Sequence, residues 1–166
     1  MAWAALTVGL LEIALGRHDA ARDHLTQAND LGGQFGNKWL EPVARTQLAS
    51  LAAHAGQLEQ ARAQLVESVD ASDDTELSTQ NVTFALVAYT QLALAERDPP
   101  RAARALGAAD GLRRRAGLRA WPSMRRGEVE LAARVAQEID PDVFKDAFAA
   151  GSELDQGEAL ALVRGD

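Results

Sequence analysis

Apolar residues along the chain recur three and four positions apart, the spacing of one face of a helix, and runs with this spacing are separated by turn residues. The pattern predicts six helices in the first two thirds, at about 2–15, 18–31, 38–54, 57–71, 78–96 and 100–116. It also repeats. Ala-Leu-Gly-Arg-His-Asp-Ala-Ala-Arg-Asp-His-Leu at 14–25 is echoed at 53–65 and again at 94–106. The small residue of the second helix recurs as Ala21, Ala61 and Ala102, and the large one after it as Leu25, Leu65 and Leu106, both with steps of 40 and 41. Two landmarks holding one period mark stacked helical hairpins, each burying its apolar face against its neighbours.

Each copy has the same internal order. A first helix ends at a turn carrying Gly16, Gly56 or Asp98-Pro99-Pro100. Glycine accepts the positive φ of a helix C-terminus, and proline suits the first turn of the next helix. In the second helix, alanine permits close axial approach and the leucine four residues on fills the space beside it. Between hairpins, 32–37 (Gly-Gly-Gln-Phe-Gly-Asn) and the acidic stretch 73–76 read as turns. After Trp121-Pro122 the repeat stops. Helices are predicted over 127–139, from Pro141 onward with Asp140 as cap, and over 156–163 behind the capping pair Asp155 and Glu158. The expected architecture is all-α: a right-handed superhelix of three hairpins, about 1–36, 37–76 and 77–120, closed by a C-terminal helical cap at 121–166.

The Gly…Ala…Leu spacing resembles the tetratricopeptide repeat, with Gly9, Ala49 and Thr90 at the small-residue position of the first helix. The chain departs from that family in carrying Glu12, Ala52 and Ala93 where it has an aromatic, and in its longer period. Residues 101–113, 144–154 and 157–162 are, more specifically, similar to the C-terminal helical-repeat region of large actinobacterial regulators of the MalT/LuxR type. That resemblance implies a sensor or scaffold role in signal-controlled transcription, beside an ATPase module and a DNA-binding domain. The chain holds neither a phosphate-binding glycine loop nor a segment for reading DNA. It is therefore expected to be a piece of such a regulator or a relative of its repeat region alone.

Composition agrees with the helices. The 166 residues include 34 alanines and 22 leucines, but only 12 valines and isoleucines, and no cysteine. The last fact removes disulfides, thiolate metal sites and cysteine nucleophiles. The apolar run from Val8 to Leu15 is interrupted by Glu12 and has no basic residue before it. No signal peptide or membrane span is expected, and the cytoplasm is the expected location.

Chemistry is scarce. His18, His24 and His54 lie at helix ends or on helix faces, none beside a nucleophile elbow, and no two stand three or four apart as a helical metal site requires. Asp70, Ser72, Asp74 and Glu76 alternate like the start of a calcium loop, but Thr75 and Asn81 stand where glycine and glutamate are needed. Asn81-Val82-Thr83 matches a glycosylation acceptor inside a predicted helix. No enzyme activity, cofactor or metal is expected.

Two surfaces remain. Carried over position by position, the tetratricopeptide pattern puts Trp3, Leu6 and Leu10, then Thr46, Gln47, Ser50 and His54, then Phe84, Val87, Ala88 and Gln91 on the inner face. Small and polar side chains between aromatics suit an uncharged small molecule or a partner's helix. Trp39 and Trp121 are expected to anchor loops. The second surface is basic: nine arginines against two aspartates between Arg97 and Arg126, in a chain of net charge −7. Arg113, Arg114, Arg115, Arg119, Arg125 and Arg126 form its centre, and they could grip phosphate or nucleic acid. The acidic 128–166 segment offers them an intramolecular partner instead, and scarce aromatics with an acidic total argue against nucleic acid. The expected partner is a protein or the rest of a multidomain regulator, with a homodimer possible through the open end of the first hairpin.

Overall fold

The computed structural model describes residues 1–71, 78–119 and 122–165. The acidic turn at 73–76, most of the calcium-like stretch and Trp121 lie outside them. Among the described residues the secondary structure is all helix, joined by turns and with no strand: α1 (Ala2–Ala14), α2 (His18–Gln34), α3 (Leu40–His54), α4 (Leu58–Asp70), α5 (Ser78–Ala95), α6 (Pro99–Arg115), α7 (Pro122–Gln137), α8 (Pro141–Ser152) and α9 (Gln156–Arg164).

Consecutive helices pack in pairs: α1 on α2, α3 on α4 and α5 on α6. Each first helix also rests on the pair before it, α3 on α2 and α5 on α3 and α4. The repeat landmarks make these contacts. Ala21, Ala61 and Ala102 are fully buried, and Leu25, Leu65 and Leu106 are buried beside them. Burying a leucine side chain contributes about 1.5–3 kcal/mol, and the three equivalent leucines each sit in a different core cluster.

The turns repeat too. At the end of α1, Gly16 N–H donates to the Ile13 carbonyl and Arg17 N–H to Glu12; at the end of α3, Gly56 and Gln57 donate to Ala53 and Ala52. At the end of α5 the same two bonds come from Arg97 and Asp98, to Leu94 and Ala93. The left-handed residue is thus Gly16, Gly56 and Arg97, at φ of 72°, 76° and 61°. The sequence pointed to Asp98-Pro99-Pro100 for this third turn. The structure puts the turn on Arg97 and gives Asp98 the next task, accepting from the Arg101 N–H as the cap of α6.

The stretch 32–37 is not all turn. Helix α2 runs through Gly32 and Gly33 to Gln34, and Gly32 lets it lie against the Glu41 backbone, where a Cβ would stand 3.0 Å from the nitrogen. Only Phe35-Gly36-Asn37 turns the chain. The Asn37 carboxamide oxygen then accepts from the Trp39 and Leu40 N–H groups, at 3.2 and 3.0 Å, and starts α3.

The last three helices are unequal. Helix α7 touches α6, α5 and α8 lightly, whereas α8 has the broadest contact with α6 of any pair. Glycines allow it: a Cβ on Gly107, Gly111 or Gly151 would overlap a backbone carbonyl oxygen of the facing helix, those of Phe148, Ser152 and Arg104. Helix α9 returns across α5, α4 and α6, placing Leu160 and Val163 in one core with Leu65, Val82 and Leu112. Glu96 ties three helices by pairing with Arg62 of α4 and, at 3.3 Å, with Arg101 of α6. Burial pulls the Arg62 pKa down, but the hydrogen bond and charge of Glu96 outweigh it and hold it above its ordinary value.

Candidate functional site

Recesses between the helices bring together residues from both expected surfaces. One, about 170 Å³, lies where α3, α5 and α7 meet and is lined by Ala53, His54, Gln91, Leu94, Ala95, Arg134 and Glu138. It joins two residues of the expected inner face, His54 and Gln91, to Arg134 of α7 and Glu138 just after it, which the sequence did not single out. His54 also meets His18 edge-on, the ring centres 4.6 Å apart. Ala53, Leu94 and Ala95 give the recess its apolar part, and its polar side chains, Gln91, Arg134 and Glu138 among them, would supply directional hydrogen bonds to a ligand.

The rest of the expected inner face divides by depth. Gln47, Ser50 and Gln91 are half-buried and His54 is exposed. Trp3 is 53% exposed and stacks on Trp39 with ring centres 4.7 Å apart, so the two tryptophans join the first and second hairpins. Thr46 and Phe84 belong to the core instead. Thr46 is 1% exposed and its hydroxyl pairs with that of Ser68 at 2.7 Å, while Ser68 donates to the Pro42 carbonyl. Phe84 is 4% exposed and packs in one cluster with Leu40, Val43 and Leu51. Both were expected on the inner face, but other helices cover them: α4 of its own hairpin lies over Thr46, and α3 of the hairpin before lies over Phe84. Ser50 turns back on its own helix, donating to the Thr46 carbonyl.

A larger recess, about 460 Å³ and open to solvent, is lined by Asp110, Arg113, Arg114, Leu118, Arg119, Arg125 and Glu128. The six arginines named from the sequence have different surroundings. Arg113 forms a two-pronged bond to Glu128, at 2.6 and 2.8 Å, with both side chains largely buried. Arg115 donates to the Ser152 carbonyl at 2.6 Å and to that of Leu154, and so satisfies the carboxyl end of α8. Arg114 pairs with Asp110 and Arg126 with Glu130, each one turn along its own helix. Arg119 and Arg125 have no carboxylate within ion-pair distance among the described residues. Four arginines against two acids leave the recess with a formal charge of +2.

Among the described residues, no group of three or more histidine, aspartate or glutamate side chains is arranged to hold a metal ion. No described helix is long and apolar enough to cross a membrane. Compared with protein-family models, curated proteins and solved structures, the chain gives no match.

Proposed function

We propose that the chain is a non-enzymatic binding scaffold: a right-handed superhelix of three tetratricopeptide-like hairpins closed by its C-terminal helices, of the kind found in MalT/LuxR-type regulators. In this reading it works in the cytoplasm and receives an uncharged small molecule or a partner's helix along Gln47, Ser50, His54 and Gln91, with Arg134 and Glu138 closing one end. The observation that carries the reading is the threefold recurrence of one capped hairpin, with the same turn bonds and the same buried alanine and leucine in each copy. Stacked units of this kind present a continuous side suited to recognition. Binding there would act as a signal only if it favoured one state of the attached machinery over another.

The test is a thermal-shift screen of small uncharged compounds and amphipathic helical peptides. Stabilisation that survives high salt and is lost in Gln91→Ala supports the scaffold. Turnover of any compound by the pure protein, abolished in His54→Ala, contradicts it.

One observation favours a second reading. Arg119 and Arg125 line an open recess and, among the described residues, pair with no carboxylate, so a phosphate-bearing ligand would find two guanidinium groups there. Binding through this recess would weaken steeply with salt and fail in Arg119→Ala with Arg125→Ala.

A further inference from the structure

The outer face of α1 is apolar and covered by none of the described residues. Ala4, Val8, Leu11 and Leu15 are exposed along it, Leu11 at 59%. The one charged residue of α1, Glu12, is drawn away to Arg17 at 3.4 Å.

The repeat shows what this face is built for. Stepping Ala4, Val8 and Leu11 forward by 40 gives Ala44, Leu48 and Leu51 of α3, which pack in one cluster with Ala21, Leu25 and Ala28 of the hairpin before. A further step of 41 gives Ala85, Tyr89 and Leu92 of α5, which share a core with Ala61, Leu65 and Val69. Ala4, Val8 and Leu11 thus hold the positions through which each later hairpin stacks on its predecessor, while Leu15 steps to Ala55 and Glu96 outside those cores. The α1 face continues an interface the molecule already uses twice.

We propose that a second copy of the chain covers this face, α1 against α1, in an antiparallel pair. The spacing of the four residues is 4, 3, 4, the seam of two packed helices, and it is symmetric about the midpoint between Gly9 and Leu10. A two-fold axis there sets Ala4 against Leu15 of the second copy and Val8 against Leu11, so that each contact pairs a smaller side chain with a leucine. A two-fold interface requires such self-complementarity. With no charge on the seam, neither salt nor like-charge repulsion opposes it. The inference does not depend on what the inner side of α3 and α5 binds.

The test is light scattering coupled to size exclusion over a wide concentration range, at low and high salt. The pair predicts a mass twice the 17.7 kDa monomer, unchanged by salt. Leu11→Asp should return the monomer mass with an unchanged circular dichroism spectrum, while Val143→Asp, on the exposed side of α8, should stay dimeric. Since the chain has no cysteine, the geometry is tested directly. An equimolar mixture of Ala4→Cys and Leu15→Cys proteins should form the mixed disulfide, and neither protein alone should cross-link. A monomer at every concentration, which would leave a further hairpin of a longer chain as the occupant, overturns the proposal. So does a dimer that survives Leu11→Asp or cross-links through Ala4→Cys alone.

Discussion

Gly107 of α6 and Phe148 of α8 meet backbone to backbone: a Cβ on Gly107 would overlap the Phe148 carbonyl oxygen and stand 2.8 Å from the carbonyl carbon. The obstacle is main chain, which cannot rotate aside as a side chain can. Gly107→Ala should therefore cost about 3 kcal/mol or more, at the upper end of overpacking effects. Gly127→Ala, with nothing within 4 Å, should be neutral or slightly stabilising. Urea denaturation of the two variants checks the contrast.

Arg97 occupies the left-handed turn position that Gly16 and Gly56 fill in the earlier copies. A side chain there costs about 1–2 kcal/mol, partly offset by the greater freedom glycine has in the unfolded chain. Arg97→Gly should accordingly stabilise by about 0.5–1 kcal/mol, and Gly56→Ala should destabilise by a similar amount. Thermal denaturation gives the sign of both.

The basic segment should separate into structural and surface arginines. Arg115→Ala leaves the Ser152 and Leu154 carbonyls without their donor and should cost about 1–3 kcal/mol. Arg119→Ala and Arg125→Ala should stay within about 0.5 kcal/mol of the parent. Equal losses at all three sites would contradict the assignment.

A double-mutant cycle distinguishes the ion pairs. Arg113 and Glu128, two-pronged and largely buried, should couple by about 1.5 kcal/mol or more, with little dependence on salt. Arg126 and Glu130, both exposed and one turn apart, should couple by about 0.3–0.5 kcal/mol and lose that in high salt.

Much of the fold was legible in the sequence because the forces that make it are local. The six helices of the repeat follow from spacing and turn residues, and their observed ends lie within three residues of those expected. Asp140 and Asp155 cap α8 and α9 through bonds that span two or three residues. What stayed hidden depends on partners distant in the chain. Gly107 and Gly111 look like weak points of a helix until α8 lies across them, and Gly32 looks like a turn until Glu41 does. Thr46 and Phe84 were placed on the inner face because periodicity identifies a side of a helix but not the neighbour that covers it. Arg134 and Glu138 escaped notice because nothing in the spacing links α7 to Gln91. For Arg113 and Arg115, the charge run was visible, but the bonds to Glu128 and to the end of α8 required the packed molecule.

The most direct test of the scaffold reading takes the strongest stabilising compound or peptide from the screen and measures its binding by calorimetry. Low and high salt are compared for the parent, Gln91→Ala and the double variant Arg119→Ala with Arg125→Ala. The account predicts affinity nearly independent of salt, retained in the arginine variant and reduced at least tenfold, about 1.4 kcal/mol, in Gln91→Ala. Affinity that falls steeply with salt and disappears in the arginine variant, while Gln91→Ala binds as the parent does, would contradict it.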